Sequence, residues 1–357
     1  MAWALAPLGV LYGAATRARL ALYRAGVLPT HKLDAPVISV GNITTGGTGK
    51  TPLVEWLARV LAGEGRRVCV LTRGYGRADE RRRVVVSDGR NVLADARAGG
   101  DEARLLAEKL RGLAAVVADA DRVAAARWAM SELGSGVFLL DDGFQHLRLA
   151  RDLNIVTLDA SAPWGGGHLL PRGRLREPPG ELARADCVVI TRAELARDLA
   201  HLRAEAARLC TGRPVFVART RTLGFHPLAA TDVAETDAAD APPQPAAFAP
   251  PQPVAAFCAI GNPQAFFMHA RNAGCELRHA CAFADHHEYT QADVDALVGA
   301  AAQSGARALV TTAKDAVKLR ALRFSLPCYV LEIALAFDEE EALRALVRAA
   351  ITQAGGR

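Results

Sequence analysis

The chain has 357 residues, is 51% hydrophobic and carries a formal net charge of +5. That is enough for one large or two ordinary domains with packed cores, and it excludes a disordered chain. The positive excess is mild and spread along the chain, so it does not argue for nucleic-acid binding; it suits anionic ligands or an anionic membrane face. Seven cysteines form no CxxC pair and read as reduced core residues rather than a zinc site or disulfide framework.

Residues 3–15 (WALAPLGVLYGAA) are apolar and are followed by Arg17, Arg19 and Arg24. The run is shorter than the ~20 residues needed to span a bilayer. A signal peptide would carry its positive charge before the apolar run, not after it. Leu5, Leu8, Leu11, Tyr12, Leu20 and Tyr23 recur at helical spacing,. Two readings stay open: a helix packed on the protein's own core, or an amphipathic helix in the membrane interface with its arginines near lipid phosphates.

Beyond this N-terminal segment (1–35), apolar runs and helical patterns alternate. Strands are expected at 36–42, 67–76, 114–119, 135–143, 153–159, 186–191 and 214–220. Helices are expected at 51–65, 101–110, 121–133 and after 191. Residues 228–253 are rich in Ala, Pro and Asp and read as a linker or insert,. Strands then recur at 254–261, 275–283, 306–312 and 328–333, with helices from 263, 291 and 338. The pattern predicts an α/β fold with a mainly parallel sheet covered on both faces. The expected division is a first domain at 36–222, an insert at 223–253 and a smaller α/β lobe at 254–357.

The strongest chemical signal is GNITTGGTGKT (41–51), set between a buried strand and a helix. A phosphate loop needs glycines so that backbone N–H groups can face phosphate oxygens, a lysine for the β/γ-phosphates and a hydroxyl for Mg²⁺. Thr44, Thr45, Gly46, Gly47, Thr48, Gly49, Lys50 and Thr51 form this candidate nucleotide site. Thr44 stands where the strict GxxxxGK[ST] pattern asks for glycine. The GGTGKT form resembles the subclass of partitioning ATPases and metal-insertion NTPases, but Thr45 stands where many of those carry a second lysine.

LLDDGFQH (139–146) ends an apolar strand in Asp141 and Asp142, either of which could hold Mg²⁺ beside the phosphate loop,. GGDEARLLAEKL (99–110) places Asp101 and Glu102 at a helix start, as dipole-favoured capping acids or as a base and a metal neighbour. FADHHEYT (283–290) holds His286, which suits a capping cluster, a metal ligand lacking a spaced third partner, or support for a catalytic carboxylate. Arg172, Arg174 and Arg176 in HLLPRGRLREPPG, and Arg73 in TRGYG, suit phosphate oxygens or solvated basic loops,.

Taken in order, GNITTGGTGKTP, TRGYG, GDEA, DDGFQH, LLPRGRLREP, AIGNPQAFF, FADHHEYT and TTAKDAVKL resemble one family, the tetraacyldisaccharide 4′-kinases (lipid A 4′-kinases), over roughly residues 36–320. The resemblance implies a P-loop kinase that uses ATP and Mg²⁺ to phosphorylate the 4′-hydroxyl of an acylated disaccharide 1-phosphate. It implies a peripheral enzyme at the cytoplasmic face of the bacterial inner membrane. By the same resemblance, Lys50 and Thr51 serve phosphates and Mg²⁺, and Asp141, Asp142 and Glu102 serve the metal. Asp101 takes the hydroxyl proton with His286 tuning it, Arg176 steadies the γ-phosphate, and Arg73 and Arg122 are further phosphate contacts. Ala103 and Arg174 stand where the family usually has proline, Ala259 replaces a common glycine and Ala313 a common acid; Arg174 therefore competes with Arg176. The rival reading is a nucleotide-dependent switch or metallochaperone-like NTPase. Thr45 and the Asp101/His286/Arg176 set speak against it.

Overall fold

The computed structural model describes residues 5–228 and 249–355. The chain forms two compact units, residues 1–220 with 335–357, and residues 221–334. Of the insert expected at 223–253, residues 229–248 lie outside the described ones.

The first unit contains, in chain order, α1 (Ala6–Arg24), β1 (Val37–Gly41), α2 (Lys50–Gly63), β2 (Val68–Thr72), β3 (Val84–Ser87), α3 (Ala96–Gly99), α4 (Asp101–Lys109) and β4 (Ala114–Ala118). It continues with α5 (Arg122–Glu132), β5 (Val137–Asp141), β6 (Leu153–Asp159), β7 (Cys187–Thr191), α6 (Leu199–Leu209) and the start of β8 (Val215–Pro227). Its strands run in the order β3-β4-β2-β5-β1-β6-β7-β8. Among the described residues these strands pair in parallel, except β3 with β4, which is antiparallel.

Strands β1, β2, β4, β5, β6 and β7 are buried along their whole length, the signature of a parallel sheet covered on both faces. Successive side chains alternate between two cores, as a pleated strand requires. Val68 and Val70 of β2 face one cluster with Leu53, Leu57 and Leu61 of α2. Cys69 and Leu71 face the other, with Ala125, Ala126 and Ala129 of α5. The edge strand β3 escaped the sequence reading because it is only four residues long and follows a run of three arginines.

The second unit contains the end of β8, then β9 (Val254–Cys258), α7 (Pro263–Asn272), β10 (Leu277–Ala282), α8 (Gln291–Gln303), β11 (Ala308–Thr312), α9 (Ala313–Leu319) and most of β12 (Cys328–Phe337). Its sheet is parallel in the order β10-β9-β11-β12. The final helix, α10 (Glu340–Gly355), belongs to the first unit. The smaller lobe therefore ends at Ala334 rather than at 357. The reason is burial: Leu343, Val347, Ala350 and Ile351 enter the core that β1, β2 and α2 share.

α1 buries Gly9, Gly13 and Leu20 while Leu8, Val10 and Leu11 remain 52%, 68% and 67% exposed. It is therefore docked through two glycines and Leu20, and leaves Leu8, Val10 and Leu11 outward. A Cβ added at Gly13 would stand 2.7 Å from Leu169 Cδ1. Arg24 pairs with Glu181, and Arg19 Nη2 donates to the Gln145 carbonyl. Among the described residues, no helix is long and apolar enough to cross a membrane.

Candidate active site

The phosphate loop runs from the end of β1 into the first turn of α2. Gly46 and Gly49 have φ of +98° and +77°, a region that glycine enters without the Cβ penalty. Thr48 Oγ1 accepts from Asn42 Nδ2 and lies 2.8 Å from Thr157 Oγ1, whose hydroxyl reaches the Gly41 carbonyl. Thr191 Oγ1 donates to the Thr48 carbonyl, and Arg192, ion-paired with Asp159, donates to that of Gly47. These polar residues at the ends of β6 and β7 brace the loop from behind, and the sequence reading missed them. Their signal was a strand ending in a hydroxyl or acid, too common to single out.

On the other side of β1, β5 delivers the two aspartates. Gly41 presses against this segment so closely that a Cβ there would lie 2.5 Å from Phe144 N and Cβ. Asp142 takes φ +52°, in the left-handed region that few residues with side chains enter. Lys50 Nζ stands 3.4 Å from Asp142 Oδ1, and Arg176 Nη1 donates to both Asp142 oxygens at 2.9 and 2.7 Å. Burial alone would raise the Asp142 carboxyl, but Lys50 and Arg176 outweigh it and hold the group well below the usual carboxylate range,.

Asp141 has the opposite environment. It is 2% exposed, and Thr72 Oγ1 donates to its Oδ2 at 3.4 Å. Its buried Oδ1 has no hydrogen-bond partner. Burial, then the nearby charges of Glu102 and Asp142, push its pKa up to about 7 against the pull of Lys50 and Thr72. An orphaned buried carboxylate oxygen fits a cation. Among the described residues no group of three or more His, Cys, Asp or Glu is arranged to hold a metal by itself. That donor set suits Mg²⁺, which keeps several waters and shares its remaining positions with one or two carboxylates and substrate phosphates.

Asp101 and Glu102 open α4 after Gly100, whose φ is +94°. The TRGYG turn packs directly against this start: a Cβ at Gly74 would meet the Gly99 carbonyl at 2.6 Å. Asp101 is 8% exposed, and Glu102 is near enough for its charge to act on Asp141. Arg122 is buried at the first turn of α5 and feels Asp142 and Asp141. Arg73 is farther out, with a side chain 57% exposed and paired to Glu80.

The arginine loop sends Arg174 and Arg176 to different partners. The Arg174 guanidinium donates to the Thr45 carbonyl at 2.9 Å, and Thr45 N donates to the Arg174 carbonyl at 2.7 Å. Arg174 thus clasps the back of the phosphate loop, and Arg176 holds Asp142. Arg172 lies beside Gly9 of α1. Lys50, Arg176, Asp141, Asp142 and Glu102 are therefore brought together, with Thr51 in the same first turn of α2 as Lys50.

His286 lies in the second unit, on the loop after β10, with φ +62°. Its N–H donates to the Ala259 carbonyl at 3.4 Å, and its Nε2 lies 3.3 Å from Lys314 Nζ. His287 Nε2 is instead 3.2 Å from Asp293 Oδ2.

The family described as Tetraacyldisaccharide-1-P 4′-kinase matches residues 1–352. The tetraacyldisaccharide 4′-kinase of Geobacter metallireducens is 43% identical over 318 residues, 88% of this chain and 88% of that one. The enzyme of the same name from Anaeromyxobacter dehalogenans is 44% identical over 330 residues, 88% of this chain and 83% of that one. The crystal structure of LpxK from Aquifex aeolicus in complex with ATP superposes with a TM-score of 0.74 at 30% identity, covering 98% of this chain and 99% of the other.

Proposed function

This chain belongs to the tetraacyldisaccharide-1-P 4′-kinase family, and on that premise we propose that it transfers the γ-phosphoryl group of ATP to the 4′-hydroxyl of an acylated disaccharide 1-phosphate in lipid A biosynthesis. The observation that carries the assignment to residues is the convergence of Lys50 and Arg176 on Asp142, next to the orphaned Asp141 Oδ1. A nucleotide switch has no need of this set beside two acids on α4, and family membership sets that reading aside.

The glycine-rich loop and the N-terminus of α2 receive the phosphates. Lys50 and Arg176 are held near the γ-phosphate by Asp142, so their charges are in place before charge develops on the transferring group. Mg²⁺, when bound, would be held by Thr51 and the Asp141/Asp142 pair with Glu102 nearby, and it would neutralise phosphate charge. Asp101 accepts the hydroxyl proton as the sugar oxygen bonds to phosphorus and the β–γ bridging oxygen leaves with ADP. His286 is proposed to take part in turnover. Phosphoryl transfer depends mainly on alignment and charge, so a carboxylate of modest basicity suffices.

The outward-facing Leu8, Val10 and Leu11 of α1, followed by Arg17 and Arg19, support a peripheral membrane contact on the cytoplasmic face of the inner membrane. The chain would then meet its lipid substrate without extracting it.

The direct test is transfer of ³²P from γ-labelled ATP to a detergent-dispersed disaccharide 1-phosphate carrying four acyl chains. Asp101→Ala should lower kcat by about 10²–10⁴-fold and leave ATP affinity nearly intact. Labelled lipid at wild-type rates from Asp101→Ala would refute the assignment of the base.

A further inference from the structure

The second unit builds an elaborate support behind one histidine. Asp315, at the first turn of α9, is fully buried. Its oxygens accept from Ala259 N at 3.1 and 3.2 Å, Tyr289 OH at 3.2 Å and Thr312 Oγ1 at 2.6 Å. Lys318, one turn later, donates to the His287 carbonyl at 2.9 Å. These contacts tie the 285–289 loop to β9 and to α9. His286 sits at the crest of that loop in the left-handed region, which is uncommon for a residue with a side chain and is held only when the surroundings specify it.

Lys314, between Thr312 and Asp315, points its ammonium at the same ring. Its Nζ is 3.3 Å from His286 Nε2 and 3.3 Å from Asp285 Oδ1. An ammonium has three donors and no lone pair. A contact of this length is favourable only if Nε2 supplies the lone pair, which leaves the ring proton on Nδ1. Asp285 Oδ1 is 3.8 Å from Nε2, beyond hydrogen-bond distance. Lys314 on α9 and Asp285 on its own loop bring charge to the ring. Lys318, Asp315 and the His287–Asp293 pair lie behind the loop.

We propose that Lys314 is a positioning residue that holds His286 as the neutral ring with its proton on Nδ1. The ring then presents a fixed N–H donor at Nδ1 suited to a carboxylate, while Nε2 is occupied by the lysine. An imidazolium at this place would face the ammonium directly, with Asp285 Oδ1 3.8 Å away. The consequence for turnover rests on the proposed role of His286 in turnover; the tautomer itself does not.

The full chain, labelled with ¹⁵N at histidine, allows both to be read. His286→Gln assigns the His286 resonances in a long-range ¹H–¹⁵N spectrum. At pH 8 the wild type should show protonated Nδ1 and unprotonated Nε2. In Lys314→Met the His286 titration midpoint should rise by about one pH unit or more, because a like charge has gone and Asp285 remains. Lys314→Arg should keep the wild-type midpoint, and Asp285→Asn should lower it. The acid limb of kcat should move upward with the midpoint in Lys314→Met. A wild-type Nε2–H tautomer, or a midpoint unchanged in a folded Lys314→Met, overturns the proposal. A shifted midpoint with an unmoved kcat profile upholds it and overturns the role of His286 in turnover.

Discussion

Replacing Asp141 with asparagine should stabilise the protein free of metal and nucleotide, by an amount that depends on pH. The folded carboxyl is raised from 3.8 to about 7. Between those values the native state holds a proton that the unfolded chain has released, so native stability falls as pH rises through that window. Above pH 7 the penalty is constant, at about three pH units or ~4 kcal/mol. At pH 5.5 it is about 2 kcal/mol, and near pH 4 it vanishes. Asparagine keeps an acceptor for Thr72 and carries no ionisation penalty. Any cost of fitting the amide is the same at each pH and cancels in the comparison. Urea unfolding of wild type and Asp141→Asn, followed at pH 4.5, 5.5 and 8, should show the variant's relative stability growing by roughly 3 kcal/mol from the lowest to the highest pH. Excess Mg²⁺ with ATP should narrow the difference at pH 8, because ligand binding stabilises more the chain that holds the metal more tightly. A stability difference independent of pH would refute the raised carboxyl and, with it, the reading of Asp141 as an uncompensated charge awaiting a cation.

Three further outcomes follow from other parts of the structure. Arg176→Met should lower kcat about 10²–10³-fold with a smaller effect on the KM for ATP, since a preorganised charge acts most on the transition state; steady-state kinetics checks this. Gly41→Ala should destabilise the chain by about 1–3 kcal/mol, because its Cβ would meet Phe144 backbone and Cβ at 2.5 Å,; thermal unfolding measures it. Leu343→Ala should cost about 2–5 kcal/mol and loosen amide-exchange protection in β1 and α2, with which Leu343 shares a core. Protection lost only within 254–334 would place α10 wrongly.

Much of the first unit was readable because parallel strands buried on both faces leave short, nearly unbroken apolar runs. β1, β2, β5 and β7 are such runs. The phosphate loop was readable for a different reason: its function needs glycines with positive φ and a lysine at fixed spacing, so the chemistry is written in consecutive residues. The resemblance to the kinase family could be carried by eight ordered segments for the same reason.

What consecutive residues could not encode is what stands beside them in space. Asp141 and Asp142 are neighbours of the same type, and their difference arises because Lys50 and Arg176 come to one and Thr72 and Glu102 come near the other. Arg174 and Arg176 are separated by a single residue, and only the fold sends one to the Thr45 carbonyl and the other to Asp142. The destination of α10 was equally hidden, since an amphipathic helix declares that it has a buried face but not whose core it joins. Sequence by itself determined the fold class, the phosphate loop and the set of candidate charges. Tertiary structure decided how those charges pair, because electrostatic roles depend on distance and burial, which residues far apart in the chain create together.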